Sequence, residues 1–178
     1  MSSSWQVLET LARIENPWLT LIGERFRDET GKDLTYWRVE RSDSVIVIPI
    51  YKETFILPRQ YYRPGVGKMT FDFPGGRHDP SHDLEHSAYR VLQKELQIEP
   101  EYVKNMANLN PHGWNVDSSF SNQRVFVFEA CISREIKLNY DLIETRLPTD
   151  SDGFQKLLSS LHCLQCRCAL LEWMSRFK

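Results

Sequence analysis

Residues 73–98, FPGGRHDPSHDLEHSAYRVLQKELQI, join a glycine-rich turn to a stretch with helical periodicity, and this junction decides the predicted fold. From Asp83 to Leu96, apolar residues recur at intervals of three and four, which predicts a helix. Asp83 is the predicted N-cap, because its carboxylate can accept hydrogen bonds from the first free backbone N–H groups. Gly75 and Gly76 in the preceding turn allow a tight bend and a close backbone approach.

Strand-like segments flank this junction on both sides. WLTLIGERFRDETGKDLTYWRVER indicates an N-terminal β-hairpin over 18–41, with its turn at Gly31. SVIVIPIY and ETFILPRQYY are continuously apolar, which predicts two central strands joined by a tight turn near Lys52 and Glu53. KNMANLNPH and QRVFVFEACI follow as predicted strands, and a final helix is predicted over 154–177. This order of elements predicts an α+β fold with a mixed sheet.

Composition limits the classes of function. A chain of 178 residues without an evident linker predicts a single domain over 1–178. Lys and Arg total 22 against 24 Asp and Glu, so no strong field favours nucleic acid or an anionic membrane as a partner. The first residues lack the pattern of a signal peptide, and no apolar run approaches the roughly 20 residues that cross a bilayer. We therefore expect a cytoplasmic protein.

The C-terminal region contains a cysteine-rich motif, HCLQCRC, in which Cys163, Cys166 and Cys168 follow His162. Such spacing could indicate a soft-metal site, but zinc clusters usually combine two pairs, and no second pair is found. The surrounding apolar residues recur at helical spacing, and cysteine behaves there as a small apolar core residue. The pattern favours a buried helix over a metal site. Residues with this spacing are Phe154, Leu157, Leu158, Leu161, Leu164, Cys168 and Leu171.

The junction at 76–98 resembles the signature of the Nudix superfamily, GX5EX7REUXEEXGU, in which U is apolar. Gly76, Arg90, Leu92, Glu95 and Ile98 match the signature without a gap. The remaining signature positions carry other residues: His82, Val91 and Lys94 replace glutamates, and Gln97 replaces the glycine. The resemblance therefore implies a Nudix fold, a mixed β-sheet between helices, with a degenerate Nudix box.

The flanking sequence is similar to the ADP-ribose and nucleoside-diphosphate-sugar pyrophosphatases of this superfamily. Gln60, Tyr61, Arg63 and Asp72 occupy the places of the subgroup's Gln-Tyr-Arg-like segment and of its acidic residue before the glycine-rich turn. Gln123 falls where these enzymes often have a loop glutamate. The resemblance is densest over 45–130, the expected core. It also implies a homodimer that exchanges N-terminal strands, for which the 18–41 hairpin provides the element.

The resemblance implies attack of water on a nucleoside diphosphate derivative, with bound Mg²⁺ or Mn²⁺ as cofactor. Magnesium takes hard oxygen ligands, and the loss of box carboxylates removes both metal binding and transition-state stabilisation. We therefore expect weak or lost metal-dependent hydrolysis with retained binding of a nucleotide or nucleotide sugar. The alternative is an active hydrolase in which Glu95 is catalytic and the metal site is rebuilt from Asp72, Glu95 and His82. A vestigial pocket in an interaction protein is the third reading.

The expected substrate-binding residues are Arg63, Arg77, Gly75, Gly76 and Lys94. A guanidinium offers paired donors to a phosphate, and the glycines allow close backbone approach. The amine of Lys94 has two readings: it replaces the metal charge beside a phosphate, or it pairs with a nearby carboxylate or reaches water.

The histidine-rich stretch HDPSHDLEH offers further ligands at His78, His82 and His86, and imidazole suits zinc, manganese or nickel better than magnesium. A solvated loop and helix start is the favoured interpretation of that stretch.

Overall fold

The computed structural model describes residues 5–176, and these form two compact units. The first unit contains residues up to Asp43 together with 115–124, and the second contains 44–114 and 125 onward. Within the described part of the chain, no helix combines the length and apolar content needed to cross a membrane. The expectation of a single domain over 1–178 stays a prediction.

The first unit is built on a three-stranded antiparallel sheet in the order β1 (Gln6–Asn16), β2 (Leu19–Arg27) and β3 (Asp33–Glu40). The predicted hairpin over 18–41 is confirmed, and Gly31 adopts φ 86° in its turn. Gly23 on β2 lets the Trp37 ring of β3 cross it, since an added Cβ would lie 2.8 Å from the ring. Strand β1 was not predicted.

The second unit contains a mixed sheet whose central strands are the predicted apolar segments. Its order is β11 (Arg124–Ile132), β4 (Ser44–Tyr51), β5 (Thr54–Pro58) and β12 (Ile143–Pro148). β11 runs parallel to β4, and the other pairings are antiparallel. β8 (Gly75–Arg77) pairs with β4, and β9 (Val103–Asn108) pairs with β11. β6 (Tyr61–Arg63) and β7 (Lys68–Thr70) form a separate ribbon, and β10 is Trp114–Asn115.

The turn between β4 and β5 is as tight as predicted, with two residues in the left-handed region. Lys52 has φ 51° and Glu53 has φ 58°, the combination found in two-residue hairpin turns. Non-glycine residues adopt this region at a steric cost, so the surrounding structure holds the turn in place. The carbonyl of Glu53 accepts hydrogen bonds from both the backbone N–H and the hydroxyl of Thr149.

Helix α1 (Leu84–Leu96) confirms the predicted helix and its cap. The Asp83 carboxylate accepts a hydrogen bond from the backbone N–H of His86 at 2.6 Å. The apolar face of the helix packs on the sheet, and a short 3₁₀ turn, Pro100–Tyr102, follows it. Members of the main core cluster include Val45, Val47, Ile56, Ala88, Val91, Leu92, Leu96, Phe126 and Phe128.

The C-terminal helix predicted over 154–177 is wrong as a single element, because the chain forms two helices. Helix α2 is Ser151–Ser160 and helix α3 is Leu164–Ser175, with extended backbone between them. The Arg167 guanidinium of α3 donates hydrogen bonds to the backbone carbonyls of Leu158 and Leu161, which connects α3 to the end of α2.

Because of this break, α3 does not continue the three- and four-residue spacing of α2. Its buried face therefore consists of other residues than those predicted. Phe154, Leu157 and Leu161 are buried as expected. Leu164 and Leu171 are 70% and 49% exposed instead, and Cys168 is exposed. The buried face of α3 consists of Cys166, Ala169, Leu170 and Trp173.

Candidate functional site

An ion pair between Arg63 and Asp72 lies where the β6–β7 ribbon leads into the glycine-rich segment. The Arg63 guanidinium donates to Asp72 Oδ2 at 2.8 Å and 3.0 Å, and the Thr70 hydroxyl donates to the same oxygen at 3.0 Å. The Asp72 side chain is 11% exposed, whereas that of Arg63 is 51% exposed. Arg63 can therefore hold the carboxylate and still face solvent or a ligand.

Glu95 lies beside this ion pair on helix α1 and is partly buried. Burial raises the pKa of Glu95, and the charge of Asp72 raises it further. The backbone N–H of Gly75, at 3.5 Å from Oε1, and the charges of Lys94 and Arg63 lower the pKa of Glu95 by less. The Glu95 carboxyl group therefore lies near a backbone donor, two cations and the carboxylate of Asp72.

The other box positions on helix α1 differ from Glu95 in their surroundings. Val91 is 6% exposed and belongs to the core, and a Cβ on Gly76 would lie 3.0 Å from its Cγ2. Lys94 is exposed to solvent. Of these two positions, where the resembled signature has glutamates, one is thus filled by apolar packing and the other by an exposed ammonium group.

Gly75 and Gly76 lie within strand β8 and not in a tight turn. A Cβ on Gly75 would lie 3.2 Å from the carbonyl oxygen of Val45, so the predicted close approach of backbones is present. Arg77 follows at the end of the same strand and is exposed. The rings of Tyr61 and Tyr62 are also exposed, at 42% and 60%, and the Arg63 guanidinium lies 5.7 Å from the Tyr61 ring centroid.

The histidine-rich stretch has a local structure of its own. The rings of His82 and His86 stack with centroids 4.3 Å apart, and both residues are exposed. His78 Nδ1 lies 2.9 Å from the Ser87 hydroxyl. Asp79 caps the turn by accepting hydrogen bonds from the backbone N–H and hydroxyl of Ser81. These contacts agree with the favoured interpretation of a polar loop and helix start.

Gln123 belongs to the first unit, and its side chain is buried. Its Nε2 donates to the carbonyl of Ser42 at 3.0 Å. The neighbouring Arg124 donates to Asp43 through its backbone and its guanidinium. The amide of Gln123 therefore holds the loop to the segment that follows β3. This is a structural contact for the residue that aligns with the loop glutamate of the pyrophosphatases that the sequence resembles.

The sequence pattern named Cys163 and Cys166 as possible soft-metal ligands and favoured a buried helix, but it did not connect them with Asp72, to whose carboxylate the start of helix α3 brings them. The ligand atoms of Asp72, Cys163 and Cys166 all lie within 4.8 Å of one another. Hydrogen bonding from the Cys166 thiol, together with N–H groups at the helix start, lowers the pKa of Cys163 to about 6. The partner thiol, Cys166, has its pKa raised by that hydrogen bond and by burial.

These positions bear on the expected Mg²⁺ or Mn²⁺ site. Among residues 5–176, the group of metal-ligand side chains with donor atoms within 4.8 Å contains neither Glu95 nor His82. Asp72 is already paired with Arg63, and burial favours the neutral form of Glu95. Asp72 and Glu95 in these states do not fit the near-octahedral oxygen shell that magnesium requires. Metal binding by Asp72, Glu95 and His82 stays a prediction.

Comparison with known proteins supports the fold. A crystal structure described as an ADP compounds hydrolase is similar over 97% of this chain and 94% of that chain, with a TM-score of 0.77. Sequence identity between the two is 16%, so the likeness concerns the fold. The predicted α+β Nudix fold, with its mixed sheet and helices, is confirmed. No protein-family profile matches the sequence. No curated protein matches it either.

Proposed function

We propose that this chain is a Nudix-fold protein that binds a nucleoside diphosphate derivative, such as ADP-ribose or a nucleotide sugar, with weak or lost metal-dependent hydrolysis. The proposal rests on two positions of helix α1, residues 91 and 94, where the resembled signature has glutamates and this chain does not. Val91 is packed in the core and Lys94 is a solvated cation. Two of the groups that would bind a divalent cation are thus replaced by groups that cannot.

The charges that remain suit an anion better than a cation. Arg63 is half exposed, Lys94 is exposed, and the charges of both act on the carboxyl group of Glu95. Guanidinium and ammonium groups donate charge-assisted hydrogen bonds to phosphate oxygens. Arg77, exposed at the end of β8, is a further candidate donor. The fold neighbour's description as a hydrolase of ADP compounds supports a diphosphate nucleotide as the class of ligand.

Recognition of the base would come from the exposed tyrosines beside Arg63. Tyr62 is 60% exposed and Tyr61 is 42% exposed, so each ring presents surface for stacking. Aromatic faces stack on any base, which gives affinity with little discrimination among nucleotides. Base preference would therefore be modest, and the diphosphate would provide most of the selectivity.

Binding is tested by thermal melting and calorimetry of tag-free protein with ADP-ribose, ADP and a nucleotide sugar, each without divalent metal. A ligand at a hundredfold excess over its Kd stabilises the native state by about 2.7 kcal/mol. For a chain of this length that corresponds to a rise in Tm of roughly 5–10 °C. Unchanged Tm with every ligand would contradict the proposal and favour a vestigial pocket.

Matched variants assign the phosphate contacts. Arg63→Gln and Lys94→Ala should each weaken binding by about tenfold or more, since charge-assisted hydrogen bonds contribute about 1.5–3 kcal/mol. Arg59→Gln and Lys104→Ala remove exposed cations elsewhere in the same unit and should leave the Kd unchanged. Equal affinities in all four variants would place the ligand elsewhere. Calorimetry is used here because Arg63→Gln also breaks the ion pair with Asp72.

An active hydrolase with a rebuilt metal site is the second candidate. It is favoured by one observation: the charge of Asp72 acts on Glu95, so two carboxylates are neighbours. The assay adds Mg²⁺, Mn²⁺ or Zn²⁺ to ADP-ribose and nucleotide sugars and measures phosphate-ester products. Turnover that Glu95→Gln abolishes would establish this candidate. Absence of turnover together with ligand-induced stabilisation would establish the binding protein.

A further inference from the structure

The start of helix α3 brings two thiols to a carboxylate from a distant part of the chain. Cys163 is the residue before α3, and Cys166 lies in its first turn. Asp72 follows strand β7, and the ligand atoms of all three side chains lie within 4.8 Å of one another. Among residues 5–176, this is the group in which three His, Cys, Asp or Glu side chains have their ligand atoms within 4.8 Å of one another.

One oxygen of this group is buried without a partner. Asp72 Oδ2 accepts hydrogen bonds from Arg63 and Thr70, whereas Oδ1 is buried and has no hydrogen-bond partner. Buried carboxylate oxygens in folded proteins are almost always hydrogen-bonded or bound to a cation. Oδ1 therefore has lone pairs that can bind a cation, in a side chain whose ligand atom lies within 4.8 Å of both sulfur atoms.

The elements around the group hold it in a fixed arrangement. Arg167 ties the break between α2 and α3 to the end of α2, which sets the position of Cys163. Cys166 is 3% exposed, and its sulfur accepts a hydrogen bond from the backbone N–H of Phe73. Arg63 and Thr70 orient the Asp72 carboxylate. Outer contacts of this kind orient the ligands of protein metal sites.

We propose that Asp72, Cys163 and Cys166 form a zinc site. Zinc binds thiolate and carboxylate ligands in tetrahedral geometry, with ligand atoms about 3.5–3.8 Å apart for Zn–S distances of about 2.3 Å. Small side-chain rotations bring atoms within 4.8 Å to that spacing. Thiolates select zinc over magnesium. Three protein ligands leave the fourth position to a water molecule.

This inference is independent of the proposed nucleotide binding. It needs no contribution from Glu95, Lys94 or the exposed tyrosines, and the two proposals share only the contact between Arg63 and Asp72. A chain that binds no zinc would therefore leave the nucleotide-binding proposal unchanged, and a chain that binds no nucleotide would leave the zinc proposal unchanged. The competing use of the two cysteines is a disulfide between Cys163 and Cys166, which would exclude zinc.

The test begins with tag-free protein, reduced and stripped of metal, then titrated with Co²⁺ and with Zn²⁺. Co²⁺ bound to thiolates should give near-ultraviolet charge-transfer absorption that saturates at one metal ion per chain. Zn²⁺ should displace it and raise the Tm. Elemental analysis of protein purified without chelator should show the same ratio of zinc to chain. A reduced protein that binds neither metal would overturn the proposal.

Variants identify the ligands. Cys163→Ser and Asp72→Asn should weaken Co²⁺ binding at least about a hundredfold, since the loss of even an outer contact costs about ten- to a hundredfold. Cys168→Ser changes an exposed cysteine of the same helix and should bind Co²⁺ as the unmodified chain does. Melting curves of the metal-free variants check that each still folds. Equal Co²⁺ affinity in Cys163→Ser and Cys168→Ser would refute the site.

The oxidation state separates zinc from the disulfide. The chain purified without reductant should retain free thiols at Cys163 and Cys166, which a thiol-reactive mass tag detects after the metal is removed. A mass lower by two hydrogen atoms, with both cysteines untagged, would show a disulfide formed by dissolved oxygen and refute zinc as the resident group.

Discussion

Val91 of helix α1 packs directly under Gly76 of strand β8, where an added Cβ would lie 3.0 Å from Val91 Cγ2. Helix and strand approach this closely because residue 76 has no side chain. Val91 also belongs to the main core cluster, with 6% of its surface exposed. The position where the resembled signature has a glutamate is thus part of the hydrophobic core in this chain.

Gly76→Ala should destabilise the native state by about 1 kcal/mol, because the new methyl group must displace Val91 in a well-packed core. The measurement is urea unfolding followed by fluorescence. Gly65→Ala is the matched control, since its Cβ would have no heavy atom within 4 Å. That change should alter stability by less than about 0.5 kcal/mol. Equal stabilities for the two variants would show that Gly76 is not tightly packed.

Gln97 ends helix α1 at the position of the signature's final glycine, and its backbone is left-handed with φ 54°. Gln97→Gly should stabilise the protein by about 1 kcal/mol, because glycine adopts this conformation without a Cβ clash. The change also removes the contact of Gln97 Oε1 with Asn139. Gln97→Ala removes the same contact and keeps the clash, so it should be the least stable of the three by urea unfolding. A stability order with alanine above glycine would contradict this account.

Cys163 should react with iodoacetamide in the reduced, metal-free protein with a midpoint near its pKa of about 6. The thiolate is the reactive form, so the rate should rise as pH increases through that value. Cys131 provides the internal comparison, since burial raises its pKa to about 11. Peptide mass mapping of labelled protein distinguishes the two. A Cys163 rate that rises only above pH 8 would contradict the lowered pKa.

Glu95→Gln should make the protein more stable than the unmodified chain at pH 7. Burial raises the pKa of Glu95 in the folded state above that of the unfolded chain, so the folded state binds more protons between these two values. Stability therefore falls as pH rises through that window, and it is regained on acidification. Glutamine removes this loss, so the difference in Tm should shrink from pH 7 towards pH 4.

The control for this prediction is Glu101→Gln, which changes an exposed glutamate of the same unit. Its Tm difference from the unmodified chain should not vary with pH. A Glu95→Gln variant that is less stable at pH 7 would show that the charged form contributes more through Gly75, Lys94 and Arg63 than burial costs it.

The three-stranded sheet leaves large apolar side chains in solvent, which is consistent with the homodimer that the family resemblance implies. These residues are Trp5, Val7, Leu11, Ile14, Trp18 and Trp37, all at least 44% exposed. Light scattering at micromolar concentration should give twice the chain mass of 21.0 kDa. Ile14→Glu should yield the monomer, whereas Val66→Glu, which changes an equally exposed residue of the second unit, should not. A monomeric unmodified chain would contradict the prediction.

Local patterns were sufficient for much of the fold. The helix with its Asp83 cap and the tight turn at Lys52 and Glu53 were predicted because their signals lie within a few neighbouring residues. Strand β12 was not predicted, because it packs at the sheet edge and alternates buried Ile143 with charged positions such as Glu144 and Arg146. The alternation covers only six residues with one buried position, so the strand signal in the sequence is weak.

The sequence by itself determined the α+β fold, the helix that begins after Asp83 and the residue types at the positions that resemble the Nudix signature, since each follows from residue type and local spacing. Only the tertiary structure placed Val91 under Gly76, broke the last helix before Leu164 and brought Asp72 to the two cysteines. Those relationships join segments distant in the chain. Their side chains meet because of how strands and helices pack, which no local pattern encodes.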